Sequence, residues 1–150
     1  MLYTQKQIRE ELAIPQQTYR YWASVVPSLA AKKGKAAALT YGDVLALAFT
    51  KQLCDRFGLR IGNIALALEA LFRELNSRSW LSLENSWLKI TSSNTEILFG
   101  ADIRNLSIGE DAIFVESAPV LSTVRSKMLA MSSEQQLSLS FGPQEIRTSR

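Results

Sequence analysis

QQTYRYW, residues 16–22, is the stretch on which the interpretation of this chain depends. It follows Ile14-Pro15, and proline suits the first turn of a helix because its missing N–H would have no partner there. Glutamine can bond adenine, arginine can bond guanine or phosphate, and tyrosine can reach phosphate oxygens. Tyr19 and Trp22, spaced i and i+3, are the expected core anchors. The composition is typical of a helix that reads DNA, and a polar surface helix is the alternative.

The preceding residues, 4–13 (TQKQIREELA), predict a shorter helix. Thr4 is placed to cap it, and Gln7 follows three residues later at the spacing of a capping box. Ile8 and Leu12, at i and i+4, would face the core. Because only a few residues separate the two helices, the pattern predicts a helix-turn-helix.

A basic turn follows, in which Lys32-Lys33-Gly34-Lys35 lies between two short apolar runs. Such a turn between two strands is a wing, which can lie along a phosphate backbone. The order helix, turn, helix, basic hairpin and helix therefore predicts a winged helix-turn-helix. The residues expected to contact DNA come from the first cap, the second helix and this turn: Thr4, Gln16, Gln17, Thr18, Tyr19, Arg20, Tyr21, Lys32, Lys33 and Lys35.

Three segments carry a family resemblance. TYRYW (18–22) resembles the threonine, apolar residue, arginine, tyrosine, aromatic signature of MerR-type regulators, and GDVLALAF (42–49) and FGLRIGNIALAL (57–68) resemble the two following helices and their turn. The resemblance covers about the first half of the chain and implies a dimeric transcription regulator that reads an inverted repeat. Two departures, Gln17 in place of arginine and Ala36-Ala37-Ala38 in place of an aromatic-arginine pair, imply a phosphate grip that depends more on Arg20 and the lysines.

A narrower resemblance concerns the second half of the chain. The long helix that forms an antiparallel coiled coil in MerR-type dimers has no counterpart here, because sustained heptads are absent after residue 76. A short MerR-type head with an α+β tail is similar to the repressors found with type V-K CRISPR-associated transposons. That resemblance implies repression of the transposon's effector-nuclease-like gene and guide-RNA components.

Charge and composition limit the classes of function. Through residue 60 there are 9 Lys+Arg against 4 Asp+Glu, and from residue 61 there are 8 against 10, so a basic first part precedes a mildly acidic remainder. This favours a polyanion-binding head, although ordinary surface charge is the alternative. The chain has no histidine and one cysteine, Cys54, predicted to be a buried and inert thiol. We therefore expect no metal site, no cofactor and no catalysis.

The remaining segments predict an α+β fold. Apolar spacing indicates helices over 44–57 and 61–75, and strand-forming residues between turn signals indicate strands over 86–92, 96–101 and 112–116. A helix over 119–131 and an edge or interface strand over 136–141 complete the prediction. We divide the chain into a DNA-binding domain with its following helices, 1–77, and a small α+β unit for dimerisation or effector binding, 78–150. Its aromatic residues are expected to form core and dimer interface, with an effector pocket as the alternative: Trp80, Trp87, Phe99 and Phe114.

These observations predict a cytoplasmic homodimeric regulator, more specifically a repressor, that binds an inverted-repeat operator in double-stranded DNA. The N-terminus lacks a signal-peptide core, and no apolar run is long enough to span a membrane. Three alternatives stay open: a ligand-responsive activator that twists its promoter, an excisionase-like architectural protein, and a protein–protein adaptor that has lost DNA binding. A small-molecule effector is not expected but is not excluded.

Overall fold

A computed structural model describes residues 1–34, 36, 38–100 and 109–138. In these residues six α-helices, two short 3-10 turns and three strands form the α+β fold that the sequence predicts. In chain order the elements are α1 (Gln5–Glu11), α2 (Gln16–Val25), α3 (Pro27–Ala30), α4 (Tyr41–Phe57), a 3-10 turn (Ile61–Ile64), α5 (Ala65–Asn76), a 3-10 turn (Trp80–Leu83), β1 (Ser86–Ile90), β2 (Thr95–Phe99), β3 (Ile113–Glu116) and α6 (Ser117–Ser138).

The capping box predicted for α1 is confirmed. The backbone amide of Gln7 donates to the Thr4 hydroxyl at 3.2 Å, and the backbone amide of Thr4 donates to the side-chain Oε1 of Gln7 at 3.0 Å. Helix α1 ends at Glu11, and α2 begins directly after Pro15. Between them Ala13 takes a left-handed conformation with φ 53°, which turns the chain. The predicted pair of helices with a short connection is therefore present.

The predicted two-stranded wing is wrong in the residues described. Its first strand is instead α3, which Pro27 begins at the first helical position. Leu29, only 2% exposed, anchors this helix in the core, and residues 31–34 form the turn that follows. On the other side of the turn, Leu39 makes an isolated antiparallel bridge with Tyr3. Lys35 lies outside the described residues.

Helices α4 and α5 form where helices were predicted, and α4 begins at Tyr41, three residues before the predicted start. A second capping box starts α4, where the Asp43 amide donates to the Thr40 hydroxyl at 3.1 Å. Gly58 ends the helix with φ 63°, a conformation that glycine adopts without steric cost. The predicted second helix begins with the 3-10 turn and continues as α5.

The strands form an antiparallel sheet with the order β2-β1-β3, at the three positions predicted. The predicted strand over 136–141 is wrong through residue 138, because α6 extends to Ser138; residues 139–141 lie outside the described part. Glutamine is a better helix former than strand former, and an existing helix is extended at little cost. Residues 101–108 also lie outside the described part.

One hydrophobic core runs through both halves of the described chain. It joins α1 and α2 through Ile8 and Trp22, reaches the sheet through Leu88, and reaches α6 through Val124. The boundary between 77 and 78 stays a prediction. Within the described residues, none of the helices combines the length and the apolar character needed to cross a membrane.

The core prediction for the four aromatic residues of the second half is wrong. Trp80, Trp87 and Phe99 are only half-buried, and Phe114 is 39% exposed. Aliphatic residues fill the interior instead, since the alternation of β1 points Leu88 and Ile90 inward and Trp87 outward. Their predicted role in a dimer interface stays a prediction.

Gly42 in the first turn of α4 permits a close approach to α5. A Cβ at this position would lie 2.9 Å from the Asn76 Cα and 2.7 Å from its Oδ1. We expect Gly42→Ala to destabilise the protein by about 2 kcal/mol, because overpacking against backbone outweighs the gain in helix propensity. Urea unfolding of both proteins measures this. An unchanged or increased stability would show that α4 and α5 separate without cost.

Candidate nucleic-acid interface

The exposed face of α2 carries the polar side chains that the sequence singled out. Gln16, Gln17 and Arg20 are exposed, and Tyr21 is 52% exposed. Thr18 is half-buried. The exposed side chains lie away from the core anchors of the helix, so their donors and acceptors are available to a ligand, whereas Thr18 borders the buried face.

Tyr19 and Trp22 anchor α2 in the core, as their spacing predicted. They are 5% and 3% exposed. Tyr19 therefore reaches the groove beside α2 only with a small exposed part of its side chain, and its contact with DNA stays a prediction. Burial raises the pKa of the Tyr19 phenol to about 12, the Asp43 carboxylate adds to the rise, and the Arg9 guanidinium opposes it.

A groove of about 650 Å³ runs beside the exposed face of α2. Helices α1, α2 and α3 and the basic turn all contribute to its walls. It is lined by Gln5, Gln16, Tyr19, Arg20, Ala23, Ser24, Leu29, Ala30, Lys32 and Lys33. The structure thus brings the two predicted sources of positive charge, α2 and the lysine turn, to one surface.

Lys32 is held by an internal partner. Its ammonium group forms an ion pair with the carboxylate of Asp43, a residue only 1% exposed. The same carboxylate accepts hydrogen bonds from the Thr40 amide and from Asn76 Nδ2, each at 2.9 Å. Lys32 therefore fixes the turn to α4 and α5, and the neighbouring Lys33, which is exposed, is the better placed of the two to meet a phosphate.

A second acidic residue holds the start of α3. The Ser28 amide donates to Glu69 Oε2 at 2.9 Å, and the Ser28 hydroxyl donates to Glu69 Oε1 at 2.6 Å. Glu69 lies on α5, so both the start of α3 and the turn that follows it are attached to the central helices. This attachment positions Lys33 relative to Arg20 without a β-hairpin.

Thr4 has a structural role at the start of α1, and its contact with DNA stays a prediction. Its hydroxyl donates to Gln7 Oε1 at 2.9 Å and accepts from the Gln7 amide at 3.2 Å. The cap of α1 therefore uses the donor and one acceptor site of the hydroxyl. Gln5, the next residue, lines the groove instead.

The turn before α5 adds polar groups that the sequence analysis did not assign to the surface. The Tyr21 hydroxyl lies 3.2 Å from the position of a Cβ on Gly62, so α2 contacts this turn directly. Arg60 and Asn63, on either side of Gly62, are exposed. The signal in the sequence is the segment RIGN, which the sequence prediction assigns to the turn between two helices and to the start of the second helix.

Cys54 is half-buried on α4 and packs against the core, so it is less buried than predicted. Burial raises the pKa of its thiol, Asp55 adds to the rise, and Lys51 opposes it. A raised pKa leaves little thiolate at neutral pH, so the group is a poor nucleophile. Among the described residues, no three cysteine, aspartate or glutamate side chains lie close enough together to hold a metal ion.

Comparisons with protein-family models, curated proteins and solved structures found no match to this chain. The surface joins amide donors and acceptors to cationic groups beside a groove, which suits recognition of base edges flanked by phosphates.

Proposed function

We propose that the protein is a sequence-specific regulator of transcription that binds double-stranded DNA through α2. The carrying observation is that Gln16, Gln17 and Arg20 project from one exposed face beside the groove that Lys33 borders. In this proposal α2 enters the major groove, where glutamine pairs with adenine and arginine with guanine. Lys33 and Tyr21 contact the flanking phosphates and set the orientation of the helix.

The regulator acts as a cytoplasmic homodimeric repressor in this proposal. A two-fold dimer reads an inverted repeat whose half-sites are about 34–36 Å apart or a multiple of that distance. The MerR-type resemblance of 18–22, 42–49 and 57–68 supports this reading, and the narrower resemblance suggests control of genes of a CRISPR-associated transposon. The attachment of α3 to Glu69 also supports it, since a fixed basic turn gives a defined register on the phosphate backbone.

The test is binding of the purified protein to the DNA directly upstream of its gene, at two salt concentrations. Arg20→Ala should weaken specific binding by about 1–3 kcal/mol and relax base preference, since a bidentate base contact is lost. Lys33→Ala should weaken binding evenly across sequences and lower the salt slope by about 1.

Arg73→Ala is the matched control, because it removes an exposed arginine of α5 that does not line the groove. It should leave specific binding unchanged. Equal binding by the wild type and Arg20→Ala, or no binding by either, would contradict the role of α2. An adaptor function would then be the better explanation.

A further inference from the structure

A second groove lies between α4, α6 and the connection from α1 to α2. Its volume is about 420 Å³, in the range of small-molecule sites, and it shares no lining residue with the groove beside α2. Side chains spaced three and four residues apart on α4 form one wall, and a similar stripe on α6 forms the other. The proposed DNA contacts leave this groove without a function.

The interior of the groove is apolar. Its accessible apolar surface comes from Ala13 in the connection, Ala48 on α4 and Pro119 on α6, with Leu12, Val120 and Val124 buried beneath it. Leu12, Val120 and Val124 also belong to the hydrophobic core, so the shape of the groove is set by packed residues. A hydrocarbon body would lie against side chains that are already ordered, which lowers the cost of binding.

The rim of the groove carries an excess of positive charge. Lys51 and Asp55 form an ion pair at 2.5 Å and neutralise each other. Lys127 donates one hydrogen bond to the Glu11 carbonyl at 2.7 Å, which leaves two of its three N–H groups for another acceptor. Arg56 is exposed and makes no ion pair with the residues that the structure describes. Two cationic groups therefore face an apolar groove without a carboxylate partner in the part of the chain that the structure describes.

We propose that this groove binds a monocarboxylate with a hydrocarbon body, such as a medium-chain fatty acid. The apolar body lies along Ala13, Ala48 and Pro119, and the carboxylate bonds to Lys127 and Arg56. The charge of the rim selects an anion over a neutral or cationic molecule of the same size. Because Lys127 also bonds the end of α1, the ligand strengthens the contact between α6 and the first helix. This inference goes beyond DNA binding and does not depend on it.

The test is calorimetric titration of the full chain with decanoate and with decylammonium, both below their micelle concentrations. We expect saturable binding of one decanoate per chain and no saturable binding of decylammonium. Arg56→Gln should weaken decanoate binding about fivefold, because one charge-assisted hydrogen bond to the carboxylate is lost. Thr123→Trp, at an exposed residue that lines the groove, should weaken it about tenfold or more by filling the space.

Arg73→Gln is the control for charge, since it removes an exposed arginine outside the groove and should leave decanoate binding unchanged. Equal binding of decylammonium, unchanged binding by Thr123→Trp, or no binding by the wild type would each overturn the proposal. So would sedimentation showing that Thr123→Trp turns a dimer into a monomer, because the groove would then be a subunit interface. All these readouts are independent of DNA, so they separate this proposal from the proposed regulator.

Discussion

Asp43→Ala should lower the free energy of unfolding by about 3 kcal/mol, because it removes the carboxylate from a buried network and leaves its partners behind. The ammonium group of Lys32 loses its counter-ion, and Asn76 and the Thr40 amide each lose an acceptor. The side chain of Lys32 is 23% exposed, so part of its charge can reach water, which keeps the loss at the lower end of the range for buried ion pairs.

The matched control is Asp55→Ala, which removes another aspartate of α4 that pairs with a lysine. Both members of that pair are solvent-exposed to a large degree, at 32% for Lys51 and 58% for Asp55. The control should therefore change stability by less than about 0.5 kcal/mol. Urea unfolding measures both variants. Equal effects would mean that Asp43 does not hold the network together.

The same substitution links stability to the proposed function. Without Asp43 the turn loses its attachment to α4 and α5, and Lys33 loses its defined position relative to Arg20. We therefore expect Asp43→Ala to weaken specific DNA binding at temperatures where the variant is still folded. This effect would identify Asp43 as a positioning residue, since it is buried and cannot touch DNA.

Helices α1, α2 and α4 could be predicted because their signals are local. Thr4 and Gln7 are three residues apart, as are Thr40 and Asp43, and each pair caps a helix. Gly58 ends α4 through its own backbone conformation. Signals of this kind need no knowledge of the tertiary structure, so a single sequence is sufficient to find them.

The prediction of a wing was wrong because the structure of this region depends on contacts between residues distant in sequence. VVPSLAA contains strand-forming valines, yet Glu69, 41 residues away, satisfies the amide and hydroxyl of Ser28 and stabilises a helix there. The pairing of Lys32 with Asp43 crosses from one element to another in the same way. A sequence shows that a lysine and an aspartate are present, but only the packing of α4 and α5 brings them together.

The exposed face of α2 could be predicted from the sequence, but the groove beside it could not. The spacing of Tyr19 and Trp22 indicated the buried face of α2 correctly, so the exposed face with Arg20 followed from helical geometry. The groove itself required the positions of α1 and α3, which depend on contacts between elements distant in sequence. Tyr19 could have been removed from the predicted contacts, because a core anchor and a base-reading residue require opposite faces.

The role of Tyr19 as a core anchor can be tested with two substitutions, because removal of its ring and removal of its hydroxyl alone should have different effects. Tyr19→Ala should lower the free energy of unfolding by about 3 kcal/mol through the cavity left in the core. Tyr19→Phe keeps the ring, so its fold and its DNA affinity should match the wild type. A large loss of DNA binding by Tyr19→Phe without a change in stability would place the hydroxyl on DNA and contradict its burial.

The pKa of Tyr19 adds a second readout that depends on pH. The pKa is raised to about 12 in the folded protein, compared with a pKa near 10 in the unfolded chain. The neutral phenol therefore contributes stability that is fully present below pH 10 and is lost as the pH rises through 12. Between pH 9 and pH 11 the free energy of unfolding should fall by about 1 kcal/mol more in the wild type than in Tyr19→Phe. Urea unfolding of both proteins at the two pH values measures this difference. Other tyrosines and the lysines titrate in both proteins and cancel in the difference. Identical pH profiles would mean that water reaches the phenol, and the core around α2 would then be looser than its packing indicates.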